Sequence, residues 1–162
     1  MKNLLIILSV LFYGCANAQI KTLDLNHGKY LENSFKDDFV GKWKASNNDF
    51  KIIITKEEKK HIKRGTMDVY VDFLNIKITN FINNGVQIAD KFTSPISLVS
   101  VGNNDSFTGT YRDTISGNNV KINLKRVNNN ELLFITNLPE IDFTNHMEKG
   151  TVFPRKLSLV KD

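Results

Sequence analysis

The feature that most constrains the fold of this chain is an alternation of apolar and polar residues with a period of two. In residues 50–55, for example, Phe50, Ile52 and Ile54 occupy every second position. The same alternation returns in residues 67–74, 76–78, 107–111, 120–124 and 157–159. Successive side chains of a β-strand point to opposite faces, so these segments are predicted to be half-buried strands. Two continuous apolar runs, residues 96–101 and 132–135, are predicted to be more fully buried strands.

Turn-forming residues separate the predicted strands. Asn, Asp and Gly accept positive φ angles or bond to their own backbone, and they cluster between the apolar segments. The clusters are residues 46–49, 83–85, 102–105, 117–119 and 128–130. No segment between them is long enough for the crossover helix that parallel strands need. We therefore predict an all-β domain, an antiparallel meander that closes into a barrel or, as the second choice, folds into a sandwich.

One short helix is predicted outside this pattern. Leu31, Phe35 and Phe39 are spaced four residues apart, as on one face of a helix. The helix would lie within residues 23–38, ahead of the first predicted strand.

The first eighteen residues have the pattern of an export signal. Lys2 supplies a positive charge, residues 4–12 form an apolar run, and small residues follow up to Ala18. The apolar run is too short to span a membrane as a helix. We predict an exported protein, periplasmic or secreted, whose mature chain has no transmembrane span. Its predicted parts are a signal peptide at 1–18, an N-terminal segment at 19–38 and a single β domain at 39–162.

Two processing routes are open. Cleavage after Ala18 would release a chain that begins at Gln19. Lipoprotein processing at Cys15 would instead anchor the protein to a membrane through acyl chains. Phe12 and Tyr13 stand where a lipobox usually carries Leu and a small residue, so release is favoured and lipidation of Cys15 is the alternative. The chain has a single Cys, which excludes an internal disulfide, a four-cysteine zinc site and a CxxC redox pair.

The charge balance is moderately basic. The formal charge is +5, and removing the signal, which holds one Lys and no acidic residue, leaves +4. One basic cluster stands out, formed by Lys56, Lys59, Lys60, His61, Lys63 and Arg64. We interpret it as a solvated hairpin end, with an electrostatic contact to anionic lipid or polysaccharide as the alternative. No aromatic residue interleaves the run, and exported proteins rarely meet nucleic acid, so we predict no nucleic-acid partner.

The segment from Phe39 to Trp43 carries a short F-x-G-x-W motif. It resembles the opening motif of lipocalins and fatty-acid-binding proteins, the calycin barrels. In those families the Trp closes one end of the barrel beneath an Arg from the last strand. The resemblance implies a calycin-like barrel in which Trp43 closes one end and Arg155 supplies the cation over its ring.

A broader resemblance covers most of the predicted mature chain. It rests on residues 39–43, 70–74, 83–85, 109–113, 153–154 and 157–161, taken in that order. This order is similar to an uncharacterised domain-of-unknown-function family of small exported proteins from Bacteroidota. The resemblance implies an exported β-rich domain and brings no catalytic residue with it. The chain departs from the family pattern at Asn75, where we would expect an aromatic residue or Gly.

No arrangement of residues predicts catalysis. The three His residues, His27, His61 and His146, fall in predicted loops and share no short spacing, so they indicate neither a metal pair nor a Ser-His-Asp set. Neither a GxSxG elbow nor a phosphate-binding P-loop occurs. We predict that the protein is not an enzyme and needs no cofactor or metal.

Two polar features are weaker candidates for a site. Asp68 and Asp72 alternate along a strand, and we predict that both lie on its solvent-facing side. Residues 142–146 form the densest polar group near the C-terminal strand.

Two classes of function remain. In the first, a monomeric barrel carries a small apolar ligand in its interior. The predicted lining is Phe50, Ile52, Val69, Val71, Phe73, Ile76 and Phe107. The chain holds eleven Phe, so the same side chains could instead fill the barrel. In the second class, an envelope module binds a protein or glycan partner through its outer face.

Overall fold

The structure, a computed structural model, describes residues 28–100, 104–137 and 151–162. Within them the strands are β1 (Lys29–Leu31), β2 (Gly41–Ala45), β3 (Phe50–Arg64), β4 (Met67–Asn83), β5 (Val86–Gln87), β6 (Ile96–Val99), β7 (Ser106–Arg112), β8 (Asn119–Asn128), β9 (Glu131–Asn137) and β10 (Lys156–Lys161). The helical elements there are α1 (Lys36–Phe39) and a 3-10 turn (Ala89–Lys91). The predicted all-β class is confirmed.

Eight of these strands form a closed antiparallel barrel. Around the barrel the order is β4, β3, β2, β10, β9, β8, β7 and β6. The ring closes where β6 pairs with residues 73–76 of β4, and β10 joins its two halves by pairing with both β9 and β2. The prediction of a meander that closes into a barrel is therefore confirmed over the sandwich. Closure satisfies backbone groups that a sandwich would leave at its sheet edges.

A short N-terminal helix is present, as predicted, but it lies at the end of the predicted range. Leu31 lies in β1, which runs parallel to β4 and places Leu31 opposite Val71. The helix is confined to Lys36–Phe39 and ends at Val40, whose ψ of 135° is extended. Pairing with β4 gives the backbone of β1 the hydrogen bonds that a helix would have supplied, so tertiary context overrides the helical spacing. Residues 23–27 lie outside the described residues.

Apolar side chains fill the barrel interior. The largest fully buried ones are Trp43, Phe39, Phe107, Phe134, Ile52, Ile54, Leu74, Ile76, Ile96, Leu98, Ile122 and Leu124. Towards one end of the barrel, Phe153 packs among four aromatic rings at centroid separations of 5.1 to 6.1 Å. Those rings belong to Phe81, Phe92, Tyr111 and Phe134. The core is therefore a packed interior of the kind that small barrels have.

The other end of the barrel is closed by residues 32–39, which we call the cap segment. Phe39 enters the core and meets the Phe107 ring edge-on at 5.1 Å. Across the opening, Arg126 of β8 lies 3.0 Å from the Asp38 carboxylate and 5.4 Å above the Phe35 ring. The backbone amide of Asn33 donates to Asp72 of β4 at 3.0 Å. The cap segment thus reaches from β4 to β8 over this end, which we call the cap end.

Candidate ligand pocket and the predicted site residues

Trp43 is fully buried and anchors the cap segment. Its indole Nε1–H donates a hydrogen bond of 2.8 Å to the backbone oxygen of Phe39. The cation over its ring is the Lys161 ammonium, 5.4 Å from the ring centroid. Arg155 does not hold the position that the calycin resemblance implied. Lys161 is the β10 residue paired with Trp43, whereas exposed Arg155 lies six residues earlier, about 20 Å along an extended chain.

The predicted lining residues are divided among different surroundings. Four of them, Phe50, Ile52, Ile76 and Phe107, belong to the barrel core. Val69 and Val71 are also buried, in the part of β4 that pairs with β1. Six of the seven are therefore buried in a packed structure rather than arranged around an empty interior.

Phe73 does not face the barrel interior, contrary to the prediction. It is half-buried, with the Lys60 ammonium 5.1 Å from its ring centroid, and Leu74 takes the interior position. Residues an odd number apart on one strand face opposite sides, so Phe73 and Ile76 cannot share the interior. β4 keeps its period of two here, so the even-numbered Leu74, Ile76 and Ile78 face the interior and Phe73 faces the other side.

A pocket of about 230 Å³ lies at the barrel end opposite the cap segment, and we call it the mouth pocket. Its lining residues are Ala45, Asn47, Asp49, Phe50, Phe81, Ile82, Asn83, Val152, Pro154 and Leu157. Of the predicted lining residues, Phe50 alone is among them. The floor is apolar and belongs to the core, whereas the rim carries two amides and one carboxylate.

The rim is held by a hydrogen-bonded turn between β2 and β3. The Asn47 side-chain amide donates to the Asp49 carboxylate at 2.8 Å, and the Asp49 amide donates back to Asn47 Oδ1 at 3.1 Å. Asn48, with φ of 60°, lies in the left-handed region that Asn accepts. The backbone oxygen of Asp49 also accepts a hydrogen bond of 2.8 Å from the amide of Ile82, a neighbouring lining residue on β4. The polar rim is thus a defined feature of the fold.

Asp113 fixes the opposite wall of the mouth pocket. Its Oδ2 accepts hydrogen bonds of 3.1 Å from the Val152 amide and the Thr151 hydroxyl, and its Oδ1 accepts from the Ile115 and Ser116 amides. Burial acts most strongly and raises the pKa of Asp113, but these hydrogen bonds outweigh it and the net pKa is lowered. Sequence reasoning missed this residue. The available signal was an Asp ahead of a Gly-Asn turn, where Asx side chains bond to the following amides.

A second buried carboxylate, Asp72, sits at the cap end. The prediction that it faces solvent is wrong, since it is 0% exposed. It accepts hydrogen bonds from the Tyr30 hydroxyl at 2.6 Å and the Asn33 amide at 3.0 Å, and the Lys36 ammonium lies 3.4 Å away. Burial is again the largest influence and raises the pKa of Asp72. The hydrogen bonds and the charge of Lys36 outweigh it, so the net pKa is lowered.

The remaining predicted site residues fall into two groups. His61 is described and pairs with Asp68, with Nε2 and Oδ1 2.6 Å apart. Cys15, His27 and residues 142–146, which include His146, lie outside the described residues. Within the three described ranges, no group of three or more His, Cys, Asp or Glu side chains is arranged to hold a metal ion. No helix in those ranges has the length and apolar character to cross a membrane.

Comparison with protein-family models, with curated proteins and with solved structures finds no match to this chain. The resemblances to the calycin barrels and to the exported Bacteroidota family therefore stay predictions.

Proposed function

We propose that this protein is an exported, non-catalytic binding protein that holds a small amphipathic ligand in the mouth pocket. The observation that carries the proposal is the pocket itself, which opens at the barrel end opposite Trp43 and has an apolar floor beneath a polar rim. Pockets that combine an apolar lining with a few fixed polar groups are the usual form of small-molecule sites.

The size of the pocket limits the ligand. A volume of about 230 Å³ is below the roughly 300–1,000 Å³ of ordinary small-molecule pockets, so the ligand must be small. The core beneath Phe50 and Phe81 is filled, so the ligand binds at the mouth of the barrel and does not enter its interior.

The lining also indicates the chemistry of the ligand. Phe50, Phe81 and Leu157 would contact an apolar body. Asp49 is the ionisable side chain among the described lining residues, and its carboxylate can only accept hydrogen bonds when ionised. A ligand with a donor group, such as an amine, at one end of a short apolar body fits this arrangement.

Native mass spectrometry of protein purified from its own host tests the proposal. We expect a co-purified small molecule on the wild-type protein and on Val160→Trp, which enlarges an exposed residue of β10. Leu157→Trp, on the same strand, fills the pocket and should abolish the bound mass. A wild-type protein without any adduct, or equal retention by Leu157→Trp, would contradict the proposal.

The same preparation tests export and processing. A chain that begins at Gln19 is the expected product of release. An acyl mass on Cys15 would instead establish the lipoprotein route, and an intact N-terminus at Met1 would contradict export.

A further inference from the structure

Part of the β-sheet projects beyond the barrel wall at the cap end. The pairing of β2 with β3 ends at Gly41 opposite Ile54, and the pairing of β6 with β4 ends at Val99 opposite Phe73. Residues 55–73 therefore continue as a long hairpin, and β1 adds a third strand to it. We call these three strands the projecting sheet.

One face of the projecting sheet carries a row of three rings. Tyr30 of β1 pairs with Tyr70 of β4, and Tyr70 pairs with His61 of β3, so all three side chains lie on the same face. The His61 and Tyr70 rings are stacked, with centroids 4.7 Å apart and planes 19° apart. Tyr70 is 37% exposed and the His61 side chain is 44% exposed, so their surfaces reach solvent. We call these residues the aromatic row.

The aromatic row is held in place by buried and partly buried acids. The Tyr30 hydroxyl donates to Asp72, which is itself fixed by the cap segment. His61 is held by Asp68 on the neighbouring strand. Rings that are already oriented lose little conformational entropy when a ligand stacks on them.

Positive charge flanks the row at both ends. The Lys59 ammonium lies 5.3 Å from the centroid of the Tyr30 ring, and Lys63 stands beside His61, two residues along the same face of β3. The acidic side chains of β4 on this face, Asp68 and Asp72, are both engaged. Asp68 lies 2.6 Å from His61 and opposite Lys63, and Asp72 accepts from Tyr30 and lies 3.4 Å from Lys36. A row that is cationic at each end and aromatic in the middle suits an anionic ligand with flat, stackable units.

Protection of an unpaired strand edge against other molecules would explain the lysines of this sheet but not its aromatic rings. Among the described residues, no strand pairs with the outer edge of residues 55–64, and charged side chains on such an edge prevent pairing between molecules. That role requires no aromatic side chain on adjacent strands, and it does not account for Tyr30 and Tyr70 in register with His61.

We propose that the projecting sheet binds an acidic polysaccharide. Pyranose rings present flat C–H faces that pack on aromatic side chains, and their carboxylate or sulfate groups would pair with Lys59 and Lys63. Three adjacent strands span about 10 Å, the scale of a disaccharide. The hairpin turn at Gly65 and Thr66 carries no large apolar side chain to enter a bilayer, so the face suits a glycan better than a lipid surface. This site lies at the opposite end of the barrel from the mouth pocket and does not depend on it.

Affinity electrophoresis of the mature protein in native gels that contain polygalacturonate tests this proposal. We expect retardation that weakens as salt is added and that is absent in gels with neutral dextran. Tyr70→Ala should raise the dissociation constant about tenfold through the loss of stacking, whereas Tyr70→Phe should leave it within about twofold. Lys63→Gln should weaken binding several-fold. Lys121→Gln, which removes an exposed charge on β8, is the matched control and should have no effect.

Three results would overturn the proposal. The first is no retardation of the wild-type protein by polygalacturonate. The second is an equal loss in Lys63→Gln and Lys121→Gln, which would indicate non-specific attraction to a basic protein. The third is tighter binding to vesicles containing phosphatidylglycerol or to a single-stranded oligonucleotide than to polygalacturonate. Circular dichroism establishes that each variant is folded, and Tyr70→Thr, which suits a β-strand, replaces Tyr70→Ala if the latter is not.

Discussion

Single residues at the two ends of the barrel hold its closing segments through specific polar contacts. At the cap end the Trp43 indole donates a hydrogen bond to the Phe39 backbone oxygen. At the other end the Asp113 carboxylate accepts a hydrogen bond from the Val152 amide, next to Phe153. Both groups are 0% exposed, so each would leave a buried polar partner unsatisfied if it were removed. Closure of this barrel therefore depends on hydrogen bonds as well as on apolar packing.

Replacement of Trp43 tests its structural role. Trp43→Ala is expected to lower the free energy of unfolding by about 3–5 kcal/mol, because it opens a large cavity in the core. Trp43→Phe retains a ring but removes the donor to Phe39, and should cost about 1–3 kcal/mol. Urea unfolding followed by circular dichroism measures both, since the substitution removes the only Trp. A loss below about 1 kcal/mol for Trp43→Ala would contradict this account.

A substitution at Gly109 tests how closely β6 and β7 pack against each other. A Cβ at this position would lie 2.8 Å from Leu98 Cδ2 and would clash with the Ser97 carbonyl oxygen. Gly109→Ala should therefore lower the free energy of unfolding by about 1–3 kcal/mol, as overpacking does. Thr110→Ala, at the next and exposed position, should stay within about 0.5 kcal/mol. Thermal unfolding compares them, and equal stabilities would show that the strands separate without cost.

Among the elements, the cap segment is the one that packing alone does not explain. It contains a helix of four residues and follows a strand of three, both too short to be stable by themselves. Its position depends on Asp72, whose carboxylate accepts hydrogen bonds from the Tyr30 hydroxyl and the Asn33 backbone amide. It also depends on Lys36, whose ammonium lies 2.8 Å from the Glu32 carboxylate. This network fixes the segment across the end of the barrel.

Removal of Asp72 should release this element first. Asp72→Ala leaves the Asn33 amide and the Lys36 ammonium without their buried acceptor, so we expect a loss of about 1–3 kcal/mol in the free energy of unfolding. Amide exchange in residues 30–39 should accelerate more than in β8 and β9. Asp90→Ala, whose side chain is 72% exposed, is the control. Uniform acceleration across all strands would argue against a separately anchored cap segment.

At the scale of the whole molecule, both ends of the barrel depend on ionised buried carboxylates. Asp72 and Asp113 each have a pKa below the ordinary value of 3.8. The unfolded chain therefore binds more protons than the native one in acid. The stability that these groups contribute is present above about pH 4 and is lost as the pH falls through their folded pKa values.

Acid unfolding tests this predicted loss of stability at low pH. The wild-type melting temperature should be nearly constant between about pH 7 and 5 and should fall steeply below about pH 4. The double variant Asp72→Asn, Asp113→Asn should melt lower at neutral pH and lose less on acidification. Parallel pH profiles for the two proteins would show that other carboxylates control acid stability.

Much of the fold was open to prediction from the chain alone. The alternation through residues 50–54 and 120–124 predicted strands whose inner residues are indeed buried, because period-two patterning is a local property that each strand carries by itself. Turn residues between the strands predicted antiparallel connections for the same reason. The number of apolar residues did not decide whether the barrel interior is hollow. In the structure apolar side chains fill it.

The candidate sites could not be predicted in the same way. The apolar residues Val69, Val71 and Phe73 predicted Phe73 inside and Asp72 outside. In the structure the even-numbered residues of β4 from Asp72 to Ile78 are the buried ones, and Asp72 is bonded to the docked cap segment. No aromatic residue interleaves the basic run along the chain, because the neighbouring rings, Tyr30 and Tyr70, come from other strands of the sheet. In a sheet, neighbours on one face are set by register between strands rather than by order along the chain.

The sequence by itself therefore determined that this chain forms amphipathic antiparallel strands, because strand patterning and turn chemistry are local. Only the tertiary structure decided which end is capped, where the mouth pocket opens, and which rings and charges share a face. Those features arise from contacts between residues far apart in the sequence, as between Asp38 and Arg126 or Trp43 and Lys161, and no local pattern specifies such pairings.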